Sequence, residues 1–326
     1  MVSTPGLNPR APAGLAVVNT LRTALSRIES HESVAKCGDP EGVHRLRSAS
    51  RRLRSELRAL AEIVEERWRE RVESELKWLA GLLGEMRDLD ILLSRLRASA
   101  LELELKEVDR QSMAPIFASV EARRAQAGRR VAESLQSDRY HALVEALERG
   151  ASRPPLNEAA GLACRVVLPP SAKAAWRTLN KAARDLRSND PPGEFHEARK
   201  RAKRCRYTAE LIAPLLGRRA LRDASKFIRL TARVQDSLGE HQDALITANE
   251  LKTAMALHAD DSTLVQNASA LLEEQRKRAR AARARFFTIW SRLDHKKLRR
   301  WMRPRSQREL PLAEGPVAAR TNGYHI

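Results

Sequence analysis

Aromatic side chains make up only 4% of the chain, which argues against a protein that grips single-stranded nucleic acid by stacking its bases. Cysteine is scarcer still. Cys37, Cys164 and Cys205 are odd in number and far apart, with no C-x-x-C pair. A disulfide framework or a structural zinc site is therefore not expected, and a reducing, cytoplasmic setting is the simpler reading. Runs of β-branched residues and alternating strand patterns are almost missing, which points to an all-α class. Met1 to Arg10 lacks an apolar signal core, and no run of about 18 uncharged apolar residues occurs, so neither export nor a membrane span is expected. No G-x-x-x-x-G-K-[ST] phosphate loop is present, nor any helix-turn-helix or zinc-finger spacing. A phosphohydrolase or phosphotransferase needs an acidic metal cluster or an activated nucleophile, and neither is visible. His44, Asp88, His196, His241 and Asp243 contain no H-x-x-x-H or H-E-x-x-H pair. The expectation is a non-enzymatic protein without a metal or cofactor.

What the chain has in excess is positive charge. Lys and Arg number 60 against 41 Asp and Glu, a formal charge of +19 over 326 residues. Self-repulsion of that size weakens a compact state unless counter-charge is present, so an anionic partner is implied. Charge alone does not separate nucleic acid, anionic lipid and a phosphate polymer. The 42% hydrophobic content is enough for a core in one large domain or two.

The most informative stretch is Val43 to Leu60. Wound as a helix, it puts Val43, Leu46, Ser50, Leu53, Leu57 and Leu60 on one stripe and His44, Arg47, Arg51, Arg54 and Arg58 on a second stripe about 100° away. Solvated helix faces usually mix signs at i, i+4 spacing. This row contains no acid, and its mutual repulsion is best accounted for by a polyanion lying across it.

The rest of the chain arranges itself around this helix. Residues 1–13 read as a flexible leader. A helix over about Leu15 to Lys36 is broken at Cys37-Gly38-Asp39-Pro40-Glu41, where Gly38 suits a helix end, Asp39 a cap and Pro40 a first turn. Helix is expected from Trp68 to Leu96 with an adjustment at Gly81 and Gly84, then a polar, acidic segment near 102–112, then a long helix over 114–147. The proline-rich segment 150–170 reads as a linker between bundles at 14–149 and 171–302, and 303–326 as a flexible tail. The second half repeats the first. At an offset of 152 residues His196 falls on His44, Arg199 on Arg47, Lys203 on Arg51, Arg204 on Arg52 and Arg206 on Arg54. Leu238-Gly239-Glu240-His241-Gln242-Asp243 falls on Leu83-Gly84-Glu85-Met86-Arg87-Asp88 at an offset of 155. The expected architecture is two antiparallel four-helix bundles related by an internal pseudo-twofold repeat.

These blocks resemble a known family. H-x-x-R-x-x-x-R-R-x-R is met by His44, Arg47, Arg51, Arg52 and Arg54, and L-G-x-x-R-D by Leu83, Gly84, Arg87 and Asp88. In the second half, H-x-x-R-K-x-x-K-x-x-R-Y is met by His196, Arg199, Lys200, Lys203, Arg206 and Tyr207, and L-G-x-x-x-D by Leu238, Gly239 and Asp243. Over roughly residues 14–302 the chain is similar to the CHAD domain, the conserved histidine α-helical domain. The resemblance implies an α-helical fold of two bundles around a basic cavity that binds inorganic polyphosphate. Many relatives carry a CYTH-type triphosphatase domain before it; a stand-alone binding module is expected here. Some stand-alone members associate with polyphosphate or polyhydroxyalkanoate granules, a point no residue here decides.

The residue chemistry agrees with that expectation. A phosphate chain has about one charge per unit and no bases, so its site needs little beyond cationic donors: the Arg fork for bidentate contact, Lys as a point charge. The expected polyphosphate contacts are His44, Arg47, Arg51, Arg52, Arg54, Arg58, His196, Arg199, Lys200, Lys203, Arg206 and Tyr207, although Tyr207 also suits the core. Asp88 and Asp243 are expected to orient arginines, and Gly84 and Gly239 to allow close helix approach or a bend. The cluster Arg276-Lys277-Arg278-Arg280-Arg283-Arg285 fits either a solvated face or an outer anion site. The alternative function is a basic helical nucleic-acid binder; on the preferred reading nucleic acid is only a weaker electrostatic competitor.

Overall fold

The helix boundaries follow from capping chemistry that is visible in the residues. In the computed structural model, which describes residues 8–102 and 111–303, Gly38 ends the first helix at a positive φ of 73°. The Asp39 carboxylate then accepts the Gly42 N–H at 2.7 Å, and Pro40 occupies the first turn of the basic helix, where its missing N–H does no harm. The helices are α1 (Gly14–Lys36), α2 (Pro40–Ala59), α3 (Glu66–Glu102), α4 (Ala114–Ser134), α5 (Asp138–Ser152), α6 (Cys164–Ala183), α7 (Pro192–Leu215), α8 (Arg218–Leu257) and α9 (Ser262–Leu293), with 3-10 segments at Glu158–Gly161 and Lys296–Met302. Among the described residues there are only two isolated β-bridges and no strand. The protein is all-α. Most of the expected acidic segment near 102–112, residues 1–7 of the leader and residues 304–326 of the tail lie outside the described residues.

Three local expectations change. Helix α3 runs through Gly81 and Gly84 without interruption. The long helix expected over 114–147 is two helices, because Ser137 takes a β conformation and its hydroxyl accepts the Tyr140 N–H, starting α5 anew. Helix α6 begins at Cys164 and carries Pro169 and Pro170 inside it. Its first N–H groups, which no intrahelical carbonyl can serve, are taken up from outside: Cys164 N–H donates to Ala11 O at 3.0 Å and Arg165 N–H to Pro9 O at 3.0 Å. Residues 9–13 are thus paired to the start of α6. Before α7, the Asp190 carboxylate accepts the Arg187 N–H at 2.8 Å, and α7 starts at Pro192 without a side-chain cap.

Packing is antiparallel between sequence neighbours, α1 on α2 on α3 and α6 on α7 on α8 on α9, with α4 against α3 and α5 returning to α1. The halves meet where α2 packs on α7 and α3 on α8. The apolar stripe of the basic helix is wholly buried: Val43, Leu46, Ser50, Leu53, Leu57 and Leu60 are all at 0% exposure. Each large aliphatic side chain so buried contributes about 1.5–3 kcal/mol relative to exposure. The buried residues of both halves form one continuous core. Burying one stripe of α2 fixes where its other stripe points.

Candidate functional site

Because α2 and α7 pack against each other, their basic rows come together. Lys203 on α7 lies within the electrostatic reach of Arg51 and Arg47 on α2 and of Arg199 and Arg206 on its own helix. Burial and these four cations push its ammonium down to about 6. Arg51 is held by the same surroundings, with burial first and Arg47 and Arg199 next lowering it to about 10, so it stays charged at neutral pH. Among the described residues, neither Arg51, Arg199 nor Lys203 makes an ion pair with a carboxylate.

Both histidines sit half-buried beside this cluster, and each has a buried Nδ1 without a hydrogen-bond partner. Burial and then Arg87 lower the His44 imidazole, with Arg47 and Lys203 adding to the effect. His196 is lowered by burial, then by Lys200 and Arg199, against a hydrogen bond with Gln242. Arg87 and Gln242 occupy equivalent places in the two L-G blocks, so each histidine faces the same position of its half. Arg47 Nη2 lies 3.4 Å from Asp88 Oδ1 while its Nε is buried and unpartnered. Asp243 is raised by burial against the pull of Arg199 and Arg95.

The two glycines of these blocks make room for arginines. A Cβ on Gly84 would stand 3.3 Å from Arg47 Nε, and one on Gly239 3.6 Å from Arg199 Nε. Since α3 and α8 are continuous helices there, the expected bend or close helix approach is replaced by a guanidinium laid across the helix backbone.

Other expected site residues are already partnered. Arg52 binds Glu56 at 2.7 Å and Glu210 at 3.1 Å, and Arg206 binds the same Glu210 at 2.7 Å. Glu210 thereby ties α2 to α7. The buried Tyr207 ring carries Arg52, Lys203 and Arg206 at 5.6, 5.8 and 5.9 Å from its centroid. It is a core aromatic with a cationic rim. Arg58 is bonded to Glu73 at 2.5 Å. Arg54 keeps a buried, unpartnered Nε. Lys200 is not brought into the cluster; it is exposed and pairs with Glu197 at 2.5 Å.

Sequence reasoning missed the counter-ions Glu56, Glu73 and Glu210, although Arg52-Glu56 and Arg206-Glu210 have the i, i+4 spacing that signals a pair. It also missed a cavity of about 470 Å³ at the C-terminal end of α2, where Arg54, Arg58 and Arg204 meet Arg69 and Lys77 of α3. The basic cluster of α9 is a solvated, paired face: Arg276 and Arg280 bind Glu273, Arg278 binds Glu102 and Glu274, and Arg285 binds Glu240. Arg283 Nε donates to His241 Nε2 at 2.8 Å. Burial and that guanidinium push His241 down to about 4, so it serves as a neutral acceptor. Among the described residues no group of three or more His, Cys, Asp and Glu could hold a metal ion, and no helix is long and apolar enough to cross a membrane.

Comparison with known proteins bears on this arrangement. Two uncharacterized proteins of Mycobacterium tuberculosis, MT2285 of strain CDC 1551 and Rv2226 of strain H37Rv, are each 28% identical over 262 residues, 76% of this chain and 48% of theirs. The chain spans about half the length of the curated relatives it matches. Among solved structures, PptA from Streptomyces chartreusis superposes with a TM-score of 0.72 at 22% identity, over 86% of this chain and 100% of that one. The CHAD domain from the plant Ricinus communis gives 0.68 at 23% identity, over 89% and 95%. These two share the fold. The CHAD domain family's own sequence profile matches residues 19–252, a span that holds both histidine helices and both L-G blocks, and on that match the chain belongs to the CHAD domain family.

Proposed function

We propose that the protein binds inorganic polyphosphate, without catalysis, in a basic groove shared by α2 and α7. The observation that carries this reading is the set of cations drawn from both helices, Arg51, Arg199 and Lys203 with the partly paired Arg47, held together with no carboxylate to neutralise three of them. Like-charged groups crowded into a part-buried site are costly unless a ligand of opposite charge compensates them. The buried and unpartnered nitrogens of His44, Arg47, Arg54 and His196 are all donors or potential donors, so the missing partner is an acceptor. A chain of phosphates supplies acceptor oxygens and negative charge at every unit. It needs no aromatic platform, and Tyr207 offers no open face for one. This is also the binding property expected of a CHAD domain. Lys200 is the weakest member of the expected contact set, and granule association would follow from the polymer itself.

Calorimetric titration with long-chain polyphosphate, with duplex DNA and ATP as competitors at equal phosphate concentration, tests the reading. Tight binding that neither competitor reverses is the expected result; displacement by duplex DNA would establish the nucleic-acid alternative instead. Incubation with polyphosphate and Mg²⁺ should release no phosphate.

A further inference from the structure

Helix α8 carries a basic row that lies outside the central cluster. Arg218, Arg219, Arg222, Lys226, Arg229 and Arg233 fall within about 100° of its circumference, and all six are exposed. Among the described residues none of them forms an ion pair with a carboxylate, Asp223 and Asp236 included. The next helix shows what a merely solvated basic face looks like in this protein: on α9, Arg276, Arg278, Arg280 and Arg285 are each bound to a glutamate. The α8 row has no such counter-charge.

The internal repeat explains why this face stays open. At the offset of 155 residues that relates α3 to α8, Arg222 and Lys226 fall on Arg67 and Arg71, but Arg229 and Arg233 fall on Ser74 and Trp78. In the first half α5 packs over that part of α3, with Arg139 bonded to Glu75 at 2.6 Å and laid on the Trp78 ring at 4.3 Å. In the second half the segment lying across α8 and α6 is the seven-residue 3-10 turn Lys296–Met302. It sinks Trp301 and Met302 into the core, with Trp301 6.0 Å from Phe227 of α8. Its Lys296, Lys297 and Arg300 remain exposed, and among the described residues they too form no ion pair. Where the first half places a helix, the second half adds cations. Residues 304–326 hold three arginines and two glutamates, so they bring no excess of acidic side chains to neutralise the face.

The kind of partner follows from what accompanies the charge. A lipid interface takes up helices that offer it a row of apolar side chains, and Leu221 is the one large hydrophobic residue exposed along 218–233. A single strand is gripped by aromatic platforms, but Phe227 and Trp301 are buried. A duplex requires neither. The row from Arg222 to Arg233 is about 16 Å long, and over that length a duplex presents about ten phosphate charges. Cations placed about once per helical turn meet backbone phosphates without reading bases, so the contact is independent of sequence. We infer that the outer face formed by α8 and the Lys296–Met302 turn is a docking surface for double-stranded nucleic acid, separate from the groove between α2 and α7.

The test is fluorescence anisotropy of a labelled DNA duplex with the full chain over a salt series, on wild type, R222Q/K226Q/R229Q/R233Q and R51Q/R199Q. Titration with long-chain polyphosphate and flotation with phosphatidylglycerol vesicles run alongside. All four α8 positions are exposed, so the substitutions leave the core untouched, and circular dichroism checks helicity in each variant. Wild type should bind two unrelated duplex sequences alike. The α8 variant should bind them about tenfold or more weakly, with a log–log salt slope shallower by about 3 to 4, since each lost phosphate contact removes about 0.9. Its polyphosphate affinity should stay within about threefold of wild type, and R51Q/R199Q should bind the duplex as wild type does. The inference is overturned if wild type binds no duplex, if the α8 variant binds it like wild type, if the loss follows R51Q/R199Q instead, or if vesicles are captured in place of the duplex. Failure of the polyphosphate reading is a different result, namely no polyphosphate binding to wild type, and α8-dependent binding of the duplex would survive it.

Discussion

Lys203 is a lysine placed where an ammonium is poorly tolerated, among Arg47, Arg51, Arg199 and Arg206. Its ordinary value of 10.5 is lowered to about 6 in the fold, so between these limits the unfolded chain binds more protons than the folded one. The ligand-free protein therefore gains stability as pH rises through that window. A polyanion reverses the preference, because its charge favours the ammonium, and Lys203 takes up a proton on binding. Affinity for long-chain polyphosphate should consequently fall as pH rises from about 6.5 to 8.5, by at most about one log unit per pH unit from this group. Titrations in two buffers of different ionisation enthalpy will register the proton uptake, and Lys203→Met should abolish most of it. His44 and His196, both lowered in the empty fold, add to the same trend at its acid end. The glycines make a second test at this scale. With 3.3 Å available at Gly84 and 3.6 Å at Gly239, Gly84→Ala should displace its arginine and weaken binding more than Gly239→Ala, with helicity unchanged in both.

At the level of helices, α2 and α7 act as a pair. Replacing Arg47, Arg51 and Arg54 together with Gln should remove most of the affinity, and replacing Arg199, Lys203 and Arg206 should do the same. A loss confined to one triple would mean the rows do not share a ligand. The N-cap of α2 is separable from binding: Asp39→Ala removes the acceptor for Gly42 N–H and should cost about 1 kcal/mol, seen as a lower Tm with polyphosphate affinity retained. Much of α2 was legible beforehand, because a stripe running through Val43, Leu53 and Leu60 has only one side to bury and the cap residues carry their own geometry. Less legible were features decided by distant partners. The break at Ser137 competes with a periodicity that runs on from 114 to 147. The start of α6 at Cys164 depends on carbonyls of Pro9 and Ala11, about 150 residues away. Gly84 reads as a flexible point until Arg47 is seen lying on it, and Arg69 and Lys77 look like ordinary surface charges of α3 until Arg204 arrives from the other half.

In the whole molecule, one carboxylate spans the contact between the two basic helices. Glu210 accepts from both Arg52 and Arg206, so α2 and α7 are clasped before any ligand arrives. Glu210→Gln should lower Tm and yet tighten polyphosphate binding, since it frees Arg206 and the Nη1 edge of Arg52, which Glu56 still holds at Nε; thermal unfolding and titration of the same variant read the two effects separately. Saturating polyphosphate should stabilise the wild type by about 2.7 kcal/mol at a hundredfold excess over Kd. The clasp also means that the cations are assembled in advance, so little binding energy is lost to arranging them, while the crowding is endured by the vacant protein. Simple electrolyte then has opposite effects on the two forms. Added salt screens the guanidinium groups from one another and should raise the melting temperature of the vacant molecule, while loosening its hold on the polymer. A protein so built is most fragile in dilute buffer with nothing bound, and there it should be most avid.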